Sequence, residues 1–443
     1  MASMMATRAS TTSALPRSPH RSSLGSFTSR RSHRGASVVL AAGTEVCDPK
    51  SPHAPCSVTA PTTLSALAMV SSVQADTAHL EMIERHANDL TGAITNPSLI
   101  LMAATTKTDG SNLMEHIVRH ASSGRVGGSA TFDNRIDAEG ADVELSGMSE
   151  SAEGLTVDVG CEITKLLAKN AGVVSTELDT GLAYAPPRVI IDRAKRLMDL
   201  YVQRRVSPQR VMIMLPATYT GIEACQKLER DGIACNMTLS FSMAQAIACA
   251  DAGASVISPY VGRICDWHAA RNGDAPVLSG AGGDAGVRFV KRVYAYYKSA
   301  NIPTRVLAAS IRTPAQALQL AGVDIISCPP SVLEELAATT TDKAASQTVV
   351  RHLSPASIEL PADVDLDDNV PIDSYDEEFI LSKCLDDTHI PVSRLRFLDE
   401  KQFWMAHHAD EMASEMLTAG ISQFQLHTHK LETLMAKMGS GAI

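Results

Sequence analysis

The chain has 443 residues, 45% hydrophobic and 20% charged, with a formal net charge of −10 at pH 7, the composition of a globular protein with a sizeable buried core. Its longest apolar runs, such as 211–216, fall far short of the roughly 20 residues that span a bilayer, so no membrane segment is expected. No block of basic residues suits a nucleic acid.

In chain order, the first 44 residues stand apart. They carry Arg8, Arg17, Arg21, Arg30, Arg31 and Arg34, ten serines before Ala41 and no acid before Glu45. This composition predicts an organelle transit peptide over 1–44, and the opening Met1-Ala2-Ser3 with the Ser/Thr bias points to a plastid and residence in the chloroplast stroma. Without those six of the 39 basic residues, 33 remain against 49 acids, so the mature chain carries about −16. A linker is expected over 45–63.

From Leu64 to about Leu336, short apolar or β-branched runs alternate with helical stretches. The runs are 73–76, 92–96, 173–179, 211–217, 234–240, 256–261, 305–310 and 324–328, and between them lie amphipathic segments such as 187–205, 220–231 and 286–300. Eight parallel strands with intervening helices is the count that closes a barrel, so a single (β/α)₈ TIM barrel is expected over 64–337. The stretch 338–395 breaks the pattern with prolines and clustered acids and reads as a partly disordered acidic insert. Over 396–443 helices resume, with an apolar stripe of Phe403, Met412, Met416, Leu417, Ile421 and Phe424 that packs on the barrel.

The nine cysteines, Cys47, Cys56, Cys161, Cys225, Cys235, Cys249, Cys265, Cys328 and Cys384, are scattered, without a CxxC pair, and read as reduced thiols, mostly buried. No His or Cys cluster has metal-ligand spacing, so no metal and no cofactor is expected. The glycines of 280–283 lack a helix-opening nucleotide-binding pattern and read as a connector.

Barrel enzymes collect their catalytic groups at the C-terminal ends of the strands, where the loops converge on one cavity. Polar residues fall there on nearly every run: Asp76; Thr95 and Asn96; Glu177 and Asp179; Asn236 and Thr238; Ser258 with Arg263; Ser310 with Arg312. Singly, each has a structural explanation: Asn96 as a helix cap, Ser258 in a turn, Arg263 paired with Asp266. Together they suit a polyhydroxylated anion, with carboxylates for proton transfer, amides and hydroxyls for sugar hydroxyls and two arginines for a phosphate.

The strand ends resemble the transaldolase family over about 64–438. The resemblance rests on Ile94-Thr-Asn-Pro-Ser-Leu-Ile100, Ser175-Thr-Glu-Leu-Asp179, Cys235-Asn-Met-Thr238, Ile257-Ser-Pro-Tyr-Val-Gly-Arg263 with Asp266-Trp267, and the closing segment 403–435. It implies the pentose phosphate reaction in which a strand-4 lysine forms a Schiff base with a ketose phosphate and passes a dihydroxyacetone unit to an aldose phosphate. It further implies Asp76 as acid/base, Glu177 and Thr238 around the catalytic water, Asn96 and Ser258 on the dihydroxyacetone hydroxyls, and Arg263, Arg312 and Ser310 on the phosphate. Monomer and homodimer both stay open. The chain departs from the family pattern at the lysine position, which holds Met214, and at Gly181, where the strand-3 motif usually continues to arginine. A thioether forms no imine and is neither acid nor base at any relevant pH. Three readings follow: a sugar-phosphate binder with lost or weakened aldol transfer, an active plastid transaldolase using another lysine, and a barrel with isomerase-like acid/base chemistry at Asp76 and Glu177. For the second, Lys195 and Lys227 fall in outer helices, while Lys165 and Lys169 precede the third run.

Overall fold

The computed structural model describes residues 44–46, 57–105, 113, 116–119, 148–272, 283–338, 347–354 and 399–440. The expected transit peptide up to residue 43, most of the acidic insert and most of the 280–283 connector lie outside the described residues.

Eight parallel strands close a barrel in the order β10-β3-β4-β5-β6-β7-β8-β9. They are β3 (Ser72–Ala75), β4 (Leu90–Thr95), β5 (Val173–Glu177), β6 (Val211–Pro216), β7 (Cys235–Ser240), β8 (Val256–Pro259), β9 (Arg305–Ala308) and β10 (Ile325–Cys328). All eight expected runs are present, each end within about two residues of the expected one. The main excess was at the C-terminal ends, where Asp179, Val261 and Ser310 have left the ladder for the loops above it.

Side chains alternate between two environments along each strand. Val174, Ile213, Met237, Ile257 and Ile326 face outward into the main core beneath the helices, whereas Met212, Val256, Leu307 and Ile325 meet inside the barrel. Register carries the alternation round the ring: Ser175 pairs with Met212, Glu177 with Met214, and Met214 with Asn236. Each fully buried aliphatic side chain contributes about 1.5–3 kcal/mol relative to an exposed one, so a one-residue slip in any strand is strongly disfavoured.

The outer layer includes α3 (Pro97–Thr105), α4 (Glu150–Leu166), α5 (Pro187–Gln203), α6 (Tyr219–Arg230), α7 (Met243–Asp251), α8 (Val261–Asn272) and α9 (Ala285–Ser299). Their starts are written in the sequence. Thr218 accepts from Gly221 N at 3.2 Å, and Ser242 with Gln245 forms a reciprocal capping box before α7. After the barrel come α12 (Glu400–His408) and the 29-residue α13 (Glu411–Gly439), which lays Leu417, Ile421 and Phe424 against the barrel mouth.

The linker and the insert both contribute regular structure. β1 (Thr44–Val46), β2 (Ser57–Ala60) and β11 (Gln347–Val350) form an antiparallel sheet in the order β1-β2-β11. Short strands paired across almost 300 residues of sequence leave no local periodicity long enough to read.

Candidate active site

A cavity of about 890 Å³ opens at the C-terminal end of the strands. Asp76, Asn96, Met214, Arg263, Ser310 and Arg312 line it together, so six of the residues singled out in the sequence converge on one space.

Its floor is Met214, 2% exposed at the centre of the all-buried strand β6. Glu177, its register partner on β5, faces the same interior, and its Oε2 has no hydrogen-bond partner among the described residues. Burial pushes the Glu177 carboxyl up to about 8; Arg263 opposes the rise while Asp179 and Asp76 add to it. Asp76 keeps part of its surface open to the cavity but lies deep in the mouth, and burial raises it to about 6 against the pull of Arg263 and Arg312. At neutral pH these values leave Asp76 mostly ionised and Glu177 mostly protonated. Because the folded value of Glu177 exceeds its ordinary 4.5, the folded chain holds a proton that the unfolded chain releases, and stability falls as pH rises from about 5 to 8. Replacing Glu177→Gln removes that decline. Thermal unfolding between pH 6 and 8.5 should show the unsubstituted chain losing several degrees more than the variant.

Around the floor the remaining polar residues bond to one another. Ser258 Oγ donates to Asn236 Oδ1 at 2.6 Å, Asn236 Nδ2 donates to Ser175 Oγ at 3.4 Å, and the Thr238 and Tyr260 hydroxyls meet at 2.8 Å. Asn236, Thr238 and Ser258 are thus buried interior groups that do not themselves line the cavity, Thr238 meeting it through Tyr260. Thr95 points the other way. It pairs in register with Thr176, whose hydroxyl contacts Tyr201 of α5 at 2.5 Å, so Thr95 belongs to the outer face and, against its expected substrate role, does not line the cavity. Asn96 is inward and also caps α3, its Oδ1 accepting from Leu99 N at 2.8 Å. Asp179 serves the backbone, accepting from Met148 N at 2.6 Å and Gly181 N at 2.9 Å.

Three groups suited to a phosphate lie along one wall. Arg263 stacks its guanidinium over Tyr260 at 5.2 Å and over Phe424 at 5.3 Å, leaving its N–H edge for an anion. Ser310 holds a left-handed backbone, φ 57°, uncommon for serine and typical of strained functional loops. Gly262 permits this turn, since a Cβ there would lie 2.4 Å from both Ser310 O and Arg312 Nε. Asp266, weighed as a structural partner for Arg263, instead pairs with Arg312, whose Nη2 bonds it at 2.9 Å on the open rim. A phosphate on Arg312 competes with that carboxylate. An exposed pair is worth at most about 1 kcal/mol, so Asp266→Asn should tighten binding of inorganic phosphate by up to about fivefold, read by calorimetry.

Comparison with known proteins agrees with this geometry. Residues 73–435 match the family described as Transaldolase/Fructose-6-phosphate aldolase. The chain is 34% identical to Transaldolase A of Escherichia coli (strain K12) over 374 residues, covering 84% of the chain and 98% of that protein. It is likewise 34% identical to Transaldolase 2 of Salmonella choleraesuis (strain SC-B67) over 373 residues, with the same coverage. The chain belongs to the transaldolase/fructose-6-phosphate aldolase family.

Within this transaldolase-family barrel, Gln423 and His427 escaped the sequence reading, and Ser98 and Trp267, quoted there as motif residues, were given no role. All four line the cavity, and His427 Nδ1 contacts the Ser98 hydroxyl at 2.7 Å, tying α13 to α3. Burial, then Lys430 and Arg263, lower the His427 imidazole below its ordinary value. Gln423 and His427 follow the Phe424 stripe at helical spacing, the one sequence signal that placed them near the mouth. The rim is pinned by Arg271 of α8, which bonds Glu411 at 3.0 Å and Glu415 at 2.7 Å on α13.

The helical layer also gathers Cys225, Glu229 and Cys235, their ligand atoms within 4.8 Å of one another. Glu229 is already engaged, accepting from Cys235 N at 2.8 Å, Ser255 N at 2.7 Å and Ser255 Oγ at 3.0 Å. The six described cysteines are free, and burial holds Cys249 and Cys328 well above the usual thiol range. No helix among the described residues is long and apolar enough to cross a membrane.

Proposed function

We propose that this chain is a sugar-phosphate-binding member of its family in which covalent aldol transfer is lost or greatly weakened. One observation carries the reading: Met214 forms the cavity floor, and among the described residues no lysine lines the cavity. Imine chemistry requires an uncharged primary amine within bonding reach of the substrate carbonyl, and a thioether supplies none. Lys195 and Lys227 both pair with Asp231 at 2.7 Å on the outer helices, and Lys165 is bonded to Glu162 at 2.7 Å. Lys169 is exposed in the turn before β5. The recognition groups Asp76, Asn96, Arg263, Ser310 and Arg312 still share one space. The ligand class argued from them is a ketose or aldose phosphate of the pentose phosphate type, and the basic, acid-free segment 1–44 supports a plastid address.

The test is borohydride reduction in the presence of fructose 6-phosphate, followed by intact mass. No adduct should form, while calorimetry registers binding; a covalent adduct on the unsubstituted chain overturns the reading. A second reading, aldose–ketose isomerisation, is favoured by the unequal protonation of Asp76 and Glu177. Isomer formation from fructose 6-phosphate without any three-carbon transfer would select it.

A further inference from the structure

The interior at and beneath the cavity floor holds several buried polar atoms without a hydrogen-bond partner among the described residues. Four inward positions are decisive: Asp76 and Gln74 on the β3 side, Ser327 of β10 and Glu177 of β5. Gln74 and Ser327 are register partners, and Gln74 lies one inward layer below Asp76. Gln74 Oε1, Ser327 Oγ and Glu177 Oε2 are all buried and all lack a hydrogen-bond partner among the described residues. Gln74 is 5% exposed, Ser327 0% and Glu177 2%. Buried polar atoms of this kind cost about 1–3 kcal/mol each when left unmatched, more for a charged group, and with Glu177 ionised a donor among them is strongly favoured. Met214, flanked by Glu177 and Asn236, brings no N–H or O–H to the layer. Arg263, the cation that faces Glu177, is stacked on Tyr260 and Phe424 above.

We propose that this interior binds a primary ammonium group, as free ammonium or the end of a small alkylammonium ion, held by the Asp76 and Glu177 carboxylates with Gln74 Oε1 and Ser327 Oγ below. A group with three or four N–H donors and one positive charge matches a set made of carboxylates, an amide oxygen and a hydroxyl. A hard metal ion asks for six to eight oxygens or near-octahedral geometry, and the Met214 side chain occupies one side of the space. The site shares the cavity with the sugar-phosphate reading but needs no sugar for its test.

Charged and titratable groups around it are Arg263, Arg312, Asp179 and Tyr260, with His79 and His427 lining the cavity above. A cation favours the ionised form of Glu177, so binding releases a proton and strengthens as pH rises toward 8.

The experiment uses the full chain at pH 8.5 and constant ionic strength, comparing chlorides of ammonium, methylammonium, potassium, sodium and tetramethylammonium. Ammonium and methylammonium should raise the melting temperature by about 1–2 °C at ten times their dissociation constant, and the other salts should not. The response should vanish in Glu177→Gln and in Met214→Lys, whose own ammonium fills the position. An equal shift with potassium overturns the N–H donor assignment, and a shift that survives in Met214→Lys or no salt-specific shift overturns the site. Carbon-13 titration of Glu177 in the unsubstituted chain is the second readout: saturating ammonium should lower its midpoint by at least one pH unit, and an unmoved midpoint overturns the proposal. Sugar-phosphate binding, measured in sodium buffer, stands or falls separately.

Discussion

With Met214→Lys, borohydride and fructose 6-phosphate should yield a covalent adduct that the unsubstituted chain does not form. Lysine is one atom longer than methionine, so its nitrogen would pass the position of the terminal methyl and reach the space beside Glu177, whose Oε2 has no partner among the described residues. Two effects then compete. Burial lowers the ammonium below its ordinary range, favouring the nucleophilic amine, while Glu177 and Asp76 favour the cation. In return the ammonium pulls Glu177 down from about 8, removing much of the loss of stability between pH 5 and 8. Restoring a covalent centre that the surrounding groups are built to serve is worth on the order of 10⁴- to 10⁶-fold in turnover. A transaldolase assay on both chains reads this directly. If the variant binds sugar phosphate yet neither traps nor turns over, the loss extends beyond residue 214. Gly181 is then the next position to restore, since it follows Asp179 in the loop above Glu177.

The second large effect is structural. Arg193→Met should lower unfolding stability by about 3–5 kcal/mol, seen as a shift of the urea midpoint at unchanged slope. Arg193 Nε bonds Glu153 at 2.6 Å with the two side chains 3% and 4% exposed, and its Nη2 donates to Met148 O at 2.8 Å. Removing the arginine leaves a buried carboxylate, which burial already raises above its ordinary value. Arg196 at 3.2 Å softens the loss without matching it, being 45% exposed. Replacing both partners, Arg193→Met with Glu153→Leu, should recover most of the stability, because two apolar side chains of similar volume need no compensation. The effect reaches the site. Met148 N donates to Asp179 and Ser149 N donates to Glu432 of α13, so this knot holds both the loop above Glu177 and the helix over the mouth. The single variant should therefore also weaken sugar-phosphate binding.

Much of this architecture was legible in the sequence. Strands buried on both faces read as short apolar runs, and runs such as 211–216 appear in the structure nearly as written. Polar residues ending those runs marked the mouth, because the loops that converge there begin where the ladder stops. Alternation also contained the orientation of Thr95: adjacent to inward Asn96, it had to face out.

Other features depend on contacts between distant segments. Which partner Arg312 takes, how Arg263 lies between Tyr260 and Phe424, and how His427 reaches Ser98 join residues from separate elements. Gly420 shows why no local rule suffices: a Cβ there would lie 2.7 Å from Leu239 and 3.2 Å from Arg263, a constraint visible only when α13 is on the barrel. The raised carboxyls of Asp76 and Glu177 belong to the same class, since desolvation is a property of the assembled interior. The sequence alone therefore determined the eight-fold alternation, the polar strand ends and the methionine at position 214. Tertiary structure decided that Met214 lies beside a buried carboxyl whose Oε2 has no hydrogen-bond partner among the described residues, because only barrel closure brings β5, β6 and β3 around one space and removes it from water.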